Sequence, residues 1–204
     1  MRYRLRTLLI VITIAGAVLA VHGKWRRDAQ LHTAIKQKLQ SKGPVILQHE
    51  EFGTAKPTRY PDWLERLVGT EYLYPLNAFC LVQNAEPDSI ISDAARLPHL
   101  YLVKLPACQI TDESLTPLTG LRSLVWLELF ATPITDEGIK TVSKIKSLEI
   151  LDLRGTKVTD DSIPLITSLP RLRRLHVGDT AITPAGIKAI QQALPACEID
   201  QRPG

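Results

Sequence analysis

The sequence predicts an α/β solenoid: a right-handed horseshoe arc with a parallel concave sheet and short convex helices, preceded by an N-terminal helical cap and a membrane segment. Three observations predict it. Residues 100–192 repeat every 24 residues in one register, from Leu100, Leu124, Leu148 and Leu172. Inside each copy, apolar and polar residues alternate with period two over Val103-Lys104-Leu105, Leu127-Glu128-Leu129, Leu151-Asp152-Leu153 and Leu175-His176-Val177, as a half-buried strand requires. A Thr-Asp pair, or Thr-Pro in the last copy, then marks a helix start.

The elements follow in order along each coil. The alternating triplets form the concave sheet. Thr111, Thr135, Thr159 and Thr183 stand where an N-cap is needed. Asp112, Asp136 and Asp160 follow them, facing the positive end of the helix dipole, and Pro184 takes that place in the fourth copy, where its missing N–H is not needed. Ile139 with Val142, Ile163 with Ile166 and Ile187 with Ile190 turn one edge of each helix inward. Pro117 and Pro164 fall inside their helices, which predicts short or 3₁₀-like segments there. No single coil buries its own apolar face, so neighbours must stack.

Upstream, Met1-Arg-Tyr-Arg-Leu-Arg6 precedes an uncharged apolar run from Leu8 to Val21, closed by Lys24, Arg26 and Arg27. Residues 7–25 are long enough for a single-pass anchor if Lys24 snorkels and Trp25 sits at the interface, while the short core also fits a cleaved signal. Residues 1–27 are therefore expected to be a membrane anchor or signal segment. Residues 28–75 are expected to form a helix-strand-helix cap: Leu31, Ile35 and Leu39 recur every four residues, Val45-Ile-Leu is a strand candidate, and Pro61 to Gly69 has proline at its start and glycine past its end. The repeat domain spans 76–200, with a degenerate first repeat at 76–99, repeats at 100–123, 124–147, 148–171 and 172–195, and a terminal strand at 197–200.

A fixed period of roughly 20–29 residues with the pattern L-x-x-L-x-L-x-x-(Asn/Cys/Thr)-x-L is the leucine-rich-repeat signature, met here with Ile or Val at the last position. Thr132-Pro-Ile-Thr-Asp-Glu-Gly-Ile139 and Thr156-Lys-Val-Thr-Asp-Asp-Ser-Ile163 resemble the cysteine-containing and ribonuclease-inhibitor-like classes of that repeat. The wider layout, with Leu5-Arg-Thr-Leu-Leu9, Ala34-Ile-Lys36, Pro61 to Gly69 and Leu194-Pro-Ala-Cys-Glu-Ile199, resembles bacterial membrane-associated leucine-rich-repeat proteins. The resemblance implies a protein-binding scaffold and names no partner.

Charge is divided unevenly. Residues 1–42 carry nine Lys/Arg against Asp28, whereas 43–204 carry sixteen against twenty Asp/Glu. A basic footprint confined to the N-terminal segment argues against nucleic acid and fits the flanks of a membrane segment. It leaves the side of the membrane open. Cys80, Cys108 and Cys197 have no metal-site spacing, so no cofactor or metal is expected. Cys108 occupies the place of Thr132, Thr156 and Thr180, whose side chains point into the turn and hydrogen-bond backbone.

Strand alternation turns Leu102, Trp126, Ile150 and Arg174 to the concave side, then Lys104, Glu128, Asp152 and His176, then Phe130 and Arg154, with Pro106 and Gly178 beside the last pair. Tryptophan and arginine are enriched in interface hot spots, so these residues form the expected partner-binding face. Lateral stacking between strands is the other reading of the aromatics. Asp152 beside His176 could orient a general base, yet no nucleophile shares the row. The expected function is a non-enzymatic protein–protein interaction module tethered to the membrane; a structural envelope protein, or an enzyme using Asp152 and His176, are the alternatives.

Overall fold

The structure is a computed structural model that describes residues 30, 31, 33–35, 37–39, 45–48, 78–81, 87–97 and 100–203. The apolar run at 8–21 and the helix expected at 61–69 lie outside the described residues. Among the described residues no helix is long and apolar enough to cross a membrane.

Seven strands form one sheet in chain order. They are β1 (Val45–Gln48), β2 (Ala78–Leu81), β3 (Leu102–Lys104), β4 (Trp126–Glu128), β5 (Ile150–Asp152), β6 (Arg174–His176) and β7 (Glu198–Asp200). β1 runs antiparallel to β2, and the other six are parallel. Register is constant at the repeat interval: Leu102 pairs with Trp126, Trp126 with Ile150, and Ile150 with Arg174. The strands begin one residue earlier than the apolar alternation suggests, because the ladder is set by backbone pairing, not by the leucines. The pairing continues past each strand, as Leu105 N–H donates to Glu128 O and Leu129 N–H to Asp152 O.

The alternation buries the centre of every strand. Val103, Leu127, Leu151 and Leu175 have no exposed surface, and the flanking ladders Leu100/Leu124/Leu148 and Leu105/Leu129/Leu153 are equally closed. Ile110, Ile134 and Val158 complete the core after the turn, with Ile182 only partly buried in the last coil. At the N-terminal end Phe79 and Leu81 of β2 join this core with Ile91 and Ala94 from the Pro87–Ala94 helix and Leu97 just past it. Ile35 and Leu39, on helical residues of the N-terminal segment, are buried against the same cluster, and Leu31 packs on its margin.

Between strand and helix the four coils from residue 100 onward each pass through one left-handed residue: Ala107 and Ala131 at φ 53, Gly155 at φ 68 and Asp179 at φ 54. Only Gly155 adopts this without a Cβ penalty. The turn delivers the next side chain inward. Thr132 Oγ1 donates to Leu129 O at 2.7 Å, Thr156 Oγ1 to Leu153 O at 2.6 Å and Thr180 Oγ1 to Val177 O at 2.7 Å. Cys108 Sγ does comparable work, reaching Pro106 O and, across to the preceding coil, Leu81 O, both at 3.5 Å.

The prolines shape the convex side. Asp112–Gly120, which contains Pro117, is a 3₁₀ helix throughout. The coil containing Pro164 starts as a 3₁₀ turn, Asp160–Ser162, before the short α-helix Ile163–Thr167. The coils without an internal proline carry true α-helices, Asp136–Val142 and Pro184–Ala193. Thr135, Thr159 and Thr183 cap their helices by accepting from Glu137, Asp161 and Gly186 N–H.

Asp112, Asp136 and Asp160 lie in the first turn of their helices, where the dipole contact is expected, and have a second role as well. Each reaches forward to the next coil. Asp112 accepts from Thr135 N–H at 2.9 Å and Thr135 Oγ1 at 2.6 Å. Asp136 repeats this with Thr159, at 2.9 and 2.7 Å, and Asp160 with Thr183, at 2.9 and 2.7 Å. Ser162 Oγ adds a third bond to Asp136, and Ser114 Oγ donates to Asp88 in the same way. The result is a hydrogen-bonded ladder running perpendicular to the coils. Pro184 stands at the next aspartate position, and among the described residues no further Thr–helix start follows for a carboxylate there to hold.

Candidate protein-binding face

Three side-chain rows cross the outward face of the sheet. The first contains Ala78, Leu102, Trp126, Ile150, Arg174 and Glu198, and the second Cys80, Lys104, Glu128, Asp152, His176 and Asp200, each in direct strand register. The third, just past the strands, contains Phe130, Arg154 and Arg202.

The rows change character along the solenoid. Trp126, Phe130 and Ile150 are half-buried and sit outside the core cluster, so their apolar surface belongs to the face itself. Each aromatic ring carries a cation: Lys104 Nζ lies 4.9 Å from the Trp126 ring centroid, and the Arg154 guanidinium lies 5.4 Å from that of Phe130. Toward the C-terminal end the rows turn charged. Arg174 meets Glu198 at 3.2 Å, and Arg202 grips Asp200 with its shortest contact at 2.7 Å.

Charges on this face are matched internally. Lys104 lies 3.8 Å from Glu128. Arg154 binds Asp152 through Nε and Nη2, the latter at 2.6 Å, while its backbone N–H donates to Asp152 Oδ1. Arg202 and Asp200 repeat this Asp-x-Arg bracket two coils later. In both brackets the fork of the guanidinium matches the carboxylate, which makes the pair bidentate. Hydrogen bonds donated to Asp152 raise the Arg154 guanidinium above its usual value and keep it protonated, against burial, which pulls the other way. Hydrogen bonds from the Arg202 side chain and N–H hold the Asp200 carboxyl well below the usual carboxylate range.

Two of the ten residues expected on the partner-facing surface are enclosed. Leu102 is 1% exposed, lying in register between Ala78 and the Trp126 indole, which is held against the ammonium of Leu102's own strand neighbour Lys104. Asp152 is 4% exposed, because the Arg154 fork closes over its carboxylate. Lys104, Trp126, Glu128, Phe130, Ile150, Arg154 and His176 are partly accessible, and Arg174 is exposed.

Asp152 and His176 pair in register, yet their carboxylate and imidazole take different neighbours. Asp152 is engaged by Arg154, and the carboxylate near His176 is Asp200, whose Oδ2 lies 3.3 Å from His176 Nδ1 at an angle outside hydrogen-bonding geometry. A general base oriented by Asp152 therefore has no geometric support. Among the described residues no cluster of His, Cys, Asp and Glu could hold a metal ion. Asp200 and Arg202 were not foreseen on the face; the terminal segment departs from the leucine pattern, and the Asp-x-Arg spacing shared with Asp152 and Arg154 was the available signal.

Gly178, in the third row, is closed by the C-terminal tail. A Cβ there would stand 1.9 Å from Arg202 O. The missing side chain lets residues 202–203 cross the end of β6.

With six parallel strands, one 24-residue coil per strand and a core of stacked leucines, the fold is that of a leucine-rich repeat. Residues 169–190 match the Leucine Rich repeat family model. Solved structures similar to this chain include a leucine-rich-repeat protein of Leptospira interrogans, with 26% identity over 53% of this chain and 27% of that one and a TM-score of 0.41. An internalin C2 of Listeria monocytogenes shares 26% identity over 48% of this chain and 42% of its own, with a TM-score of 0.40. The tropomodulin C-terminal domain of Caenorhabditis elegans shares 15% over 60% and 84%, with a TM-score of 0.48. The matched part thus spans less than half the length of the two bacterial structures. Among curated proteins none matches the chain. Leucine-rich-repeat solenoids in general present extended concave surfaces to protein partners.

Proposed function

We propose that the chain is a membrane-tethered, non-enzymatic protein-binding module of the bacterial leucine-rich-repeat kind, with its partner seated on the concave sheet around Trp126, Phe130 and Ile150. One observation carries the reading: two half-buried aromatic rings and an isoleucine lie on the outward side of the sheet, where the core makes no use of them. The lysine and arginines around them already have carboxylate partners. A partner gains little by bringing charge and more by burying the three apolar side chains. Tethering rests on the apolar run at 8–21 and its basic flanks.

A photo-crosslinking residue placed at Ile150 tests the face in cells, with Lys188 on the convex helix as the control. A specific adduct from position 150 alone is expected. With the captured partner in hand, Trp126→Ala should weaken affinity by on the order of 2 kcal/mol or more. Its stability cost should stay near 1 kcal/mol, from the lost cation–π contact and the uncovered Leu102. Stability lost with affinity intact assigns Trp126 to the scaffold.

A further inference from the structure

The two long edges of the solenoid carry opposite charge. On one edge, each coil passes from the end of its convex helix into the next strand, through residues 95–97, 121–125, 143–149 and 168–173. These segments contain Arg96, Arg122, Lys144, Lys146, Arg171 and Arg173, all exposed, against one acidic residue, the half-buried Glu149 at the repeat position of Arg173. Arg122 and Lys146 occupy one repeat position on adjacent coils, and Arg96 and Lys144 share another two coils apart, so the cations recur along the edge. Among the described residues their contacts are slight: Arg173 lies 3.7 Å from Glu149, and Lys146 donates to Ser168 O and Oγ at 3.3 and 3.5 Å. On the opposite edge, where strands lead into helices, Glu113, Glu137, Asp161 and Asp179 are exposed beside the half-buried ladder aspartates.

We infer that the basic edge rests on the anionic headgroups of a lipid bilayer, standing the solenoid on its side with the concave face open laterally. The inference rests on the tethering proposed above and adds an orientation to it. A linear polyanion is a poor fit, since residues 43–204 are net acidic and a flexible chain would also meet the acidic edge. A plane touches one edge only. A strand and its flanking turns separate the two edges by roughly 20 Å at about 3.3 Å per residue. That exceeds the screening length of about 8 Å at physiological salt, so the acidic edge scarcely feels the surface. Exposed lysines and arginines near an anionic leaflet each add to its attraction.

Lysine acetylation with a membrane-impermeant reagent, read by mass spectrometry on the full chain, tests this. The protein is mixed with vesicles of zwitterionic lipid alone and with vesicles containing about one-third phosphatidylglycerol. On the anionic vesicles Lys144 and Lys146 should be modified several-fold more slowly, with recovery in high salt, while Lys157 and Lys188 keep their rates. Equal rates for Lys144 and Lys157 on anionic vesicles overturn the inference. Equal protection by soluble heparin without vesicles overturns it too, assigning the edge to a soluble polyanion. Flotation with zwitterionic vesicles reports the tether separately: a chain that fails to float has no anchor, and the footprint on anionic vesicles still decides the edge.

Discussion

Replacing Asp136 with alanine measures the ladder that ties one coil to the next. The carboxylate accepts Thr159 N–H at 2.9 Å, Thr159 Oγ1 at 2.7 Å and the Ser162 hydroxyl. Hydrogen bonds to charged groups contribute about 1.5–3 kcal/mol each. The site is half-exposed, which brings each bond down toward the ordinary net of about 1 kcal/mol, so losing all three should cost about 3 kcal/mol. For a chain of this length that lowers the melting temperature by roughly 6–12 °C. A carboxylate acting only on the dipole of its own helix would contribute about 0.3–1 kcal/mol. Size alone does not separate the two accounts cleanly, but coupling does. In a double-mutant cycle of Asp136→Ala with Thr159→Val, followed by urea unfolding, the ladder requires a coupling energy of about 1 kcal/mol or more. Coupling near zero refutes it. Acid supplies a second check. Burial raises the Asp136 carboxyl's pKa, but hydrogen bonds from Ser162 and Thr159 outweigh it and hold the folded value below the usual range. The contribution is then fully present above an unfolded pKa of about 4 and is lost as pH falls through the lower folded value. The stability gap between wild type and Asp136→Ala should narrow on acidification.

Gly186→Ala should destabilise by about 1–2 kcal/mol, although alanine normally favours a helix. Its Cβ would stand 2.2 Å from Asp160 Oδ1, pushing that carboxylate off Thr183, and urea unfolding against Asp160→Ala should show the two losses to be non-additive. Gly178→Ala should displace the tail, since the clash is with the Arg202 carbonyl and backbone cannot yield as a side chain does. Faster amide exchange at residues 201 and 202 with β6 protected is the expected signature. Cys197 should resist a disulfide reagent at pH 8 in the native protein, because burial and then Glu198 push its thiol up to about 11. Rapid native labelling would contradict this.

The six-stranded parallel sheet was legible because its cause is periodic. A leucine every 24 residues can meet another leucine only if the coils stack in register, and the register of Leu127, Leu151 and Leu175 follows directly. The prolines were legible for a local reason: a ring at Pro117 or Pro164 removes a donor wherever its helix sits. The aspartate ladder was less so. Asp136 lies next to a helix start in sequence, which suggests a contact with that helix, whereas its partner Thr159 is 23 residues away and becomes a neighbour only after stacking.

The same distinction governs the binding face. Alternation correctly separates the inward Leu151 from the outward Ile150, since it depends on one strand alone. Exposure of an outward residue depends on its neighbours, and here the pattern is silent. Asp152 is enclosed because an arginine two residues later folds back on it, and Leu102 because the next strand places a tryptophan beside it. His176 faces Asp200, which comes from a coil with no leucine signature of its own. Each departure has one physical origin: a charged or aromatic side chain on a parallel sheet takes the partner nearest in space, along its own strand or from an adjacent one. The carboxylates that a sequence reading would assign to chemistry or to a partner are thereby consumed by arginines of the same face. What remains available is the apolar group of Trp126, Phe130 and Ile150. Binding through that group should therefore depend weakly on ionic strength, in contrast to the basic edge, and salt titration of the two contacts separates them in a single protein.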